Sequence, residues 1–188
     1  MALAILPVAL AAAAICETAA GAQEAGSKVC ERQMALAAAK YQIPLGFLYA
    51  IALTETGRRN SLQPWALNIE GKPLYPRSRA QALRAFRQAR AQGKKLIDLG
   101  CMQINYHFHG KKFTSAADML EPSRNVDYAA AFLKRLYVRE GSWTMAAARY
   151  HAGRGNDAAQ KRYICLVIRN LAATGFGKWT PQARNFCK

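Results

Sequence analysis

One carboxyl group lies where an enzyme would need a proton donor. Glu55 is close to the end of an uncharged segment, residues 45–53, and a helix would place it on the same face as Leu48, Ile51 and Ala52. A carboxyl on that face loses hydration, and the carbonyl dipoles of the last helical turn also disfavour a negative charge. Both effects raise the pKa, as a general acid near neutral pH requires. The alternative is an exposed Glu at a frayed helix end.

A second catalytic carboxylate is harder to find. Enzymes that work by acid–base chemistry often use two carboxyl groups, one as acid and one as nucleophile or base. The chain has 11 acidic residues, and besides Glu55 only Asp98, shortly before Gly100, is a candidate. A loop Asp that bonds nearby backbone is the simpler interpretation of Asp98. His107, His109 and His151 could in principle bind zinc, but nothing places the third near the first two. No metal and no cofactor is expected.

The elements that must position these residues are nearly all helical. Apolar spacing, Pro, Gly and Ser or Asn caps predict a mainly α single domain with at most one small β-hairpin. The predicted helices cover residues 29–39, 45–56, 79–92, a segment around 126–137, 143–150 and a long segment after Asn156. The predicted buried stripe of that last helix consists of Ile164, Val167, Ile168 and Leu171. The hairpin would comprise Trp65 to Ile69 and a turn at Glu70-Gly71-Lys72.

Three short motifs occur in a fixed order: Ala52-Leu53-Thr54-Glu55-Thr56-Gly57, Gly100-Cys101-Met102-Gln103-Ile104-Asn105 and Arg149-Tyr150-His151-Ala152-Gly153. Together they resemble the soluble lytic transglycosylase domain, a relative of goose-type lysozyme. That family has Glu followed by Ser, then segments like Gly-Leu-Met-Gln-Ile and Ala-Tyr-Asn-Ala-Gly. The resemblance covers roughly residues 30–153 and implies a lysozyme-like fold. In this chain Thr56 replaces Ser, Cys101 replaces Leu and His151 replaces Asn.

The resemblance implies an activity on peptidoglycan glycan strands. Glu55 would be the single general acid and base that cleaves the β-1,4 bond between N-acetylmuramic acid and N-acetylglucosamine, leaving 1,6-anhydro ends. A hydrolytic lysozyme on the same fold, with Asp98 activating water, stays open. So does a non-catalytic cell-wall-binding assembly protein. The chemistry of the side chains and the motif positions suggest the substrate-binding residues Thr56, Met102, Gln103, Asn105, Tyr150 and His151. Trp65 or Tyr106 could stack on a sugar ring.

The N-terminus and the cysteines indicate export. Residues 1–22 resemble a signal peptide cleaved before Gln23, although the usual basic start is missing. The domain would then span 23–188, with a C-terminal helical extension from about 155. Removal of Cys16 leaves Cys30, Cys101, Cys165 and Cys187, an even number that suggests two disulfides in an oxidising compartment. Three pairings are possible, and we favour Cys30–Cys101 with Cys165–Cys187.

The charge predicts attraction to polyanions. The chain has 27 Lys and Arg residues against 11 Asp and Glu, a net charge of +16. Export disfavours nucleic acid as the partner and favours the bacterial wall, in the periplasm or outside the cell. No membrane span is expected after leader cleavage. The segment from Trp65 to Gly71 and the form of the second motif also resemble a subgroup linked to conjugation, secretion or appendage assembly, which suggests a partner machine.

Overall fold

Helices dominate the chain. The computed structural model describes residues 28–58 and 61–188, so the predicted signal peptide lies outside the described residues. The mainly α class is confirmed. The helices are α1 (Val29–Tyr41), α2 (Leu45–Thr56), α3 (Arg79–Ala91), α4 (Tyr106–His109), α5 (Ala116–Met119), α6 (Pro122–Glu140), α7 (Trp143–Ala152), α8 (Asp157–Ala173) and α9 (Pro181–Phe186), with a 3₁₀ turn at Gly110–Lys112.

The β structure is larger than the single predicted hairpin. The hairpin itself is present as β1 (Leu67–Ile69) and β2 (Lys72–Leu74), and Gly71 takes the positive φ of +86° that the turn requires. Two further strands, β3 (Ile97–Leu99) and β4 (Ile104–Asn105), extend it to an antiparallel sheet with the order β2-β1-β3-β4. Strands of two or three residues are too short to show a period of two, so the sequence did not reveal β3 and β4.

Helix α2 runs through the centre of the described structure. It begins after Pro44 and ends at Gly57, as the sequence predicts, and it packs against α1 and α8. Because residues 45–53 carry no charge, most of this helix can be buried without leaving an ionised group unpaired. Leu48, Ala50, Ile51 and Ala52 are fully buried. The last turn of this helix, which contains Glu55, therefore lies at the edge of the core.

Three other helices begin at the capping residues that the sequence predicts, but the buried face of α8 is displaced. Ser78, Ser142 and Asn156 each accept a backbone N–H at the start of α3, α7 and α8, as predicted. The buried stripe of α8 lies about one turn earlier than predicted: Ile168 and Leu171 are only half-buried, whereas Tyr163 and Gln160 are buried. Tyr163 and Gln160 can be buried because each has a hydrogen-bond partner. The Gln160 amide donates to the Gly153 carbonyl at 2.7 Å, and the Tyr163 hydroxyl donates to Glu55.

Two disulfides close long loops. Cys30, at the start of α1, pairs with Cys101 in the turn between β3 and β4, with 5.8 Å between the Cα atoms. Cys165 of α8 pairs with Cys187 after α9, at 5.6 Å. These are the two pairs that we favoured. Within the described part of the chain, no helix is long and apolar enough to cross a membrane.

Candidate active site

A cleft of about 680 Å³ opens between the sheet and the helices α4, α6 and α7. All three sequence motifs contribute to it, since Glu55, Gln103, Asn105, Tyr150 and His151 line its wall. The remaining lining residues come from the sheet and its turns and from α4, α6 and the end of α7: Asn68, Glu70, Gly71, Leu96, Asp98, Ile104, Phe108, His109, Phe132, Arg149, Ala152 and Gly153.

Glu55 supplies a carboxyl that is mostly enclosed by protein yet faces this cleft. Burial raises its pKa from 4.5 to about 8, and the negative charge of Asp98 adds to that rise. A hydrogen bond from Tyr163, 2.6 Å from Oη to Oε1, acts in the opposite direction because it stabilises the carboxylate. The carboxyl is therefore largely protonated at neutral pH, as an acid catalyst must be.

Tyr163 is a residue of the site that the sequence did not predict. It lies on α8, its side chain is only 2% exposed, and its ring stacks on His151 with 4.2 Å between centroids and 6° between planes. Burial raises the pKa of its hydroxyl well above the usual range, so the group stays a donor. The available signal was a Tyr four residues before Val167, on the face of α8 that packs against α2.

Asp98 does not lie in a loop that bonds nearby backbone, so the simpler interpretation was wrong. It is in β3, paired in register with Asn105 of β4, whose side-chain amide donates to Asp98 Oδ1 at 2.7 Å. Burial raises the pKa of Asp98, and the bond from Asn105 lowers it. A second carboxyl therefore lies in the same cleft as Glu55, and one of its oxygens accepts a hydrogen bond.

The amides of Gln103 and Asn105 are already partly used by the protein. The Gln103 amide nitrogen donates to the carbonyls of Ala66 and Gly100 at 3.1 and 3.0 Å. The Asn105 side-chain oxygen caps α4 by accepting from two backbone N–H groups. Both residues line the cleft, but these bonds leave fewer polar atoms for a sugar than the sequence suggested.

Thr56 and Met102 do not reach the cleft. Thr56 is 1% exposed and its hydroxyl donates to the carbonyls of Ala52 and Cys101, so it ties the end of α2 to the second motif. Met102 is fully buried. Substrate contact was therefore the wrong expectation for both residues. A helix period places a residue on a face, but only packing decides whether that face meets the core or a cleft.

Tyr150 does line the cleft, but its hydroxyl does not reach Glu55. It donates to the Met102 carbonyl at 2.7 Å and so joins the third motif to the second. The tyrosine that bonds Glu55 is Tyr163 instead.

The most exposed aromatic side chain in the cleft is neither of the two expected to stack on a sugar. Trp65 and Tyr106 pack against the core, and Tyr106 meets Phe86 edge-on at 4.7 Å. Phe108 lines the cleft and is 70% exposed. Asn68, also missed, lines the cleft with a side-chain oxygen that is buried and has no partner among the described residues.

Asn125 holds the second motif in place from beneath. It is fully buried at the start of α6, and its amide donates to the carbonyls of Leu99 and Met119 at 2.8 and 3.0 Å. Its oxygen accepts the Met102 N–H at 2.9 Å. One side chain thus satisfies three backbone groups around the turn that follows β3.

A three-His zinc site is not assembled in residues 28–58 and 61–188, where no cluster of three or more potential ligands occurs. His109 lies with its Nδ1 2.8 Å from the Tyr128 hydroxyl.

A mainly helical domain with a small antiparallel sheet and a buried acid, Glu55, in the adjoining cleft is a lysozyme-like domain. The family model described as the transglycosylase SLT domain matches residues 33–164, and the chain belongs to that family. The matched region includes Glu55, all three motifs and Tyr163. Neither the curated proteins nor the solved structures contain a match to this chain.

Proposed function

We propose that this protein is a peptidoglycan lytic transglycosylase in which Glu55 is the only acid and base. Membership of the transglycosylase SLT family indicates an enzyme that acts on peptidoglycan. One observation supports the finer assignment: a carboxyl inside the cleft has a pKa of about 8 and a tyrosine hydroxyl on one of its oxygens. Such a group can donate a proton at neutral pH and accept one in a later step.

The reaction needs two proton transfers at the same carboxyl. Protonated Glu55 donates to the glycosidic oxygen, and the bond from C1 of N-acetylmuramic acid to that oxygen breaks. The acetamido group of the same sugar stabilises the cationic C1. Ionised Glu55 then takes the proton of the O6 hydroxyl while O6 bonds to C1, which closes the 1,6-anhydro ring. Glu55 ends protonated again and no water is consumed.

Tyr163 suits both halves of this cycle. Its hydroxyl can donate to the carboxylate that forms after the first transfer. The ionic form is thereby stabilised when it is needed, although burial keeps the resting group protonated.

A hydrolytic lysozyme is the second candidate, and the position of Asp98 is the observation that favours it. Asp98 lines the same cleft and interacts electrostatically with Glu55. An ionised Asp98 could activate water or stabilise the cationic sugar. The bond from Asn105 occupies Oδ1 and leaves the second oxygen for that role.

Export to the periplasm or beyond the cell belongs to the same proposal. Two disulfides and a peptidoglycan-directed family support it. The subgroup linked to secretion, conjugation or appendage assembly remains a prediction from the second motif.

The test compares four proteins on purified peptidoglycan: wild type, Glu55→Gln, Asp98→Asn and Glu121→Gln. Glu121 is a matched control because it pairs with Arg79 at the surface and lies outside the cleft. Mass spectrometry identifies the sugar ends. We expect 1,6-anhydro ends from wild type, Asp98→Asn and the control, with the rate of Glu55→Gln lower by about 10²- to 10⁴-fold. Reducing ends that disappear in Asp98→Asn would support the hydrolase, and no products from folded wild type would refute both enzymes.

A further inference from the structure

His151 occupies the position at which the third motif departs from the pattern it resembles, with an imidazole in place of an Asn amide. Its ring lies parallel to that of Tyr163, with 4.2 Å between centroids and 6° between planes. His151 is exposed and lines the cleft, whereas Tyr163 is 2% exposed. The imidazole thus covers one face of a buried phenol on the side of the cleft.

The position of the Tyr163 hydroxyl depends on how its ring is held. The hydroxyl is 2.6 Å from Glu55 Oε1, and a hydrogen bond of this kind weakens steeply with small displacements or poor angles. A parallel ring on one face restricts tilting of the phenol toward the open cleft. An Asn side chain is smaller and could not cover a six-membered ring in the same way.

We propose that His151 is a positioning residue for Glu55: its imidazole stacks on Tyr163 and thereby holds the tyrosine hydroxyl on the catalytic carboxyl. The inference deepens the proposed function and rests on it for the role of Glu55. The contribution of His151 is the flat ring and not a proton.

Several charged or titratable groups surround this stack, and a test must separate their effects from that of the ring. Burial and the charge of Arg162 lower the pKa of His151, so the imidazole is neutral at neutral pH. Asp98 of β3 raises the pKa of Glu55, and both carboxyl groups raise the pKa of Tyr150 on α7. Arg149 and His109 also line the cleft.

The experiment measures the titration of Glu55 itself by ¹³C NMR of carboxyl-labelled protein, with Glu55→Gln used to assign its signal. This readout does not require activity, so it tests the inference even if the protein releases no anhydro product. The proteins are wild type, His151→Ala, His151→Phe, Tyr163→Phe and the double variant His151→Ala/Tyr163→Phe. Thermal unfolding confirms that each is folded, and His151→Asn replaces His151→Ala if the latter is not.

If the stack positions the hydroxyl, substitutions of His151 and Tyr163 should have coupled effects on the Glu55 pKa. The Tyr163 bond lowers the Glu55 pKa, so Tyr163→Phe should raise it, and His151→Ala should raise it in the wild-type background as the bond loosens. Greater access of water to Glu55 would act in the opposite direction. The double variant isolates that solvent effect, because it has no hydroxyl left to position. We therefore expect His151→Ala to raise the pKa more in the wild type than in Tyr163→Phe.

Activity provides the second readout. His151→Ala should lower kcat/KM by about two- to tenfold, the range that one stacked ring pair can account for. His151→Phe, which keeps a flat ring without nitrogen atoms, should restore both the Glu55 titration and the rate. Equal shifts of the Glu55 pKa in the two backgrounds would overturn the proposal. A His151→Phe protein as impaired as His151→Ala would overturn it too, because the imidazole nitrogens would then be what matters.

Discussion

At the residue scale, opposing influences set the behaviour of Glu55. Burial and Asp98 favour the neutral carboxyl, and the Tyr163 hydroxyl favours the ionised one. Their balance, a pKa of about 8, keeps the carboxyl largely protonated at neutral pH, as the proposed general acid requires. Of the two phenols near the carboxyl, only Tyr163 bonds to it, because the Tyr150 hydroxyl is held by the Met102 carbonyl.

The pH dependence of the rate follows from this balance. In the proposed mechanism the free enzyme must hold the proton on Glu55, so kcat/KM should fall as pH rises through about 8. Tyr163→Phe removes a bond that lowers the Glu55 pKa, so the alkaline limb should move to higher pH. The measurement is kcat/KM against pH for both proteins. An alkaline limb that moves to lower pH in Tyr163→Phe would contradict the assigned role of the hydroxyl.

Ionisation of the Glu55 carboxyl should lower the stability of the folded state. An unfolded Glu55 titrates near 4.5, whereas the folded group titrates near 8. Between these values the folded state binds more protons, so its stability declines as pH rises and is lowest above the folded pKa. The contribution amounts to roughly 2 kcal/mol between pH 5 and pH 7. A Gln side chain does not titrate, so Glu55→Gln should remove this decline of stability with rising pH.

The check is urea denaturation of wild type and Glu55→Gln at pH 5, 6 and 7. We expect the variant to gain stability relative to wild type as pH rises. A constant difference across that range would mean that Glu55 titrates normally in the folded protein. Glu121→Gln, a half-exposed glutamate on the surface, serves as the control.

At the element scale, the turn between β3 and β4 is the feature that brings the second motif to the cleft. Gly100 adopts φ +80°, and a Cβ there would lie 2.6 Å from the Asn125 side-chain nitrogen. The turn is held by Asn125 below, by the Cys30–Cys101 disulfide and by the Thr56 hydroxyl on the Cys101 carbonyl. Helix α2, helix α6 and the sheet therefore share one junction.

Loss of Asn125 should disrupt that junction. Asn125→Ala leaves two backbone carbonyls and one N–H without their partner, and we expect it to lower the free energy of unfolding by about 2–4 kcal/mol. Urea denaturation measures the change. Asn185→Ala, an exposed residue of α9, should change stability by less than about 0.5 kcal/mol. A similarly small effect at Asn125 would show that the turn holds without it.

At the scale of the whole molecule, charge is the dominant property. Residues 71–97 contain eight Lys and Arg and no Asp or Glu. Arg84 and Arg87 are exposed on α3, three residues apart, so they repel each other and carry their charge to the surface. This helix packs against β1, a strand that also contributes Asn68 to the cleft.

Binding to the wall should depend on these charges. With Glu55→Gln as the background, Arg84→Glu/Arg87→Glu should sediment less with purified peptidoglycan than its parent. Salt near 1 M, where the Debye length is about 3 Å, should abolish the difference. Arg169→Glu/Lys178→Glu alters two exposed cations elsewhere by the same net charge. Equal losses in both pairs would assign the effect to overall charge, and no loss in either would refute an electrostatic contribution.

The sequence alone determined the features that depend on neighbouring residues. Ser and Asn caps, Pro and Gly boundaries and helical spacing predicted α2 to the residue and the starts of α3, α7 and α8. These signals are local, since capping bonds and helical turns join groups within about four residues. The same locality allowed the three motifs to indicate the family, whereas the catalytic role of Glu55 stays a prediction.

Only the tertiary structure decided which of those residues share a surface. Tyr163 meets Glu55 across 108 positions of sequence, and Asp98 came into the cleft through the pairing of two very short strands. Thr56 and Met102 lie in the right motifs but beneath the cleft. Contacts of this range arise from the packing of whole elements. Their free energy depends on burial and partners supplied from elsewhere in the chain, which no local pattern records.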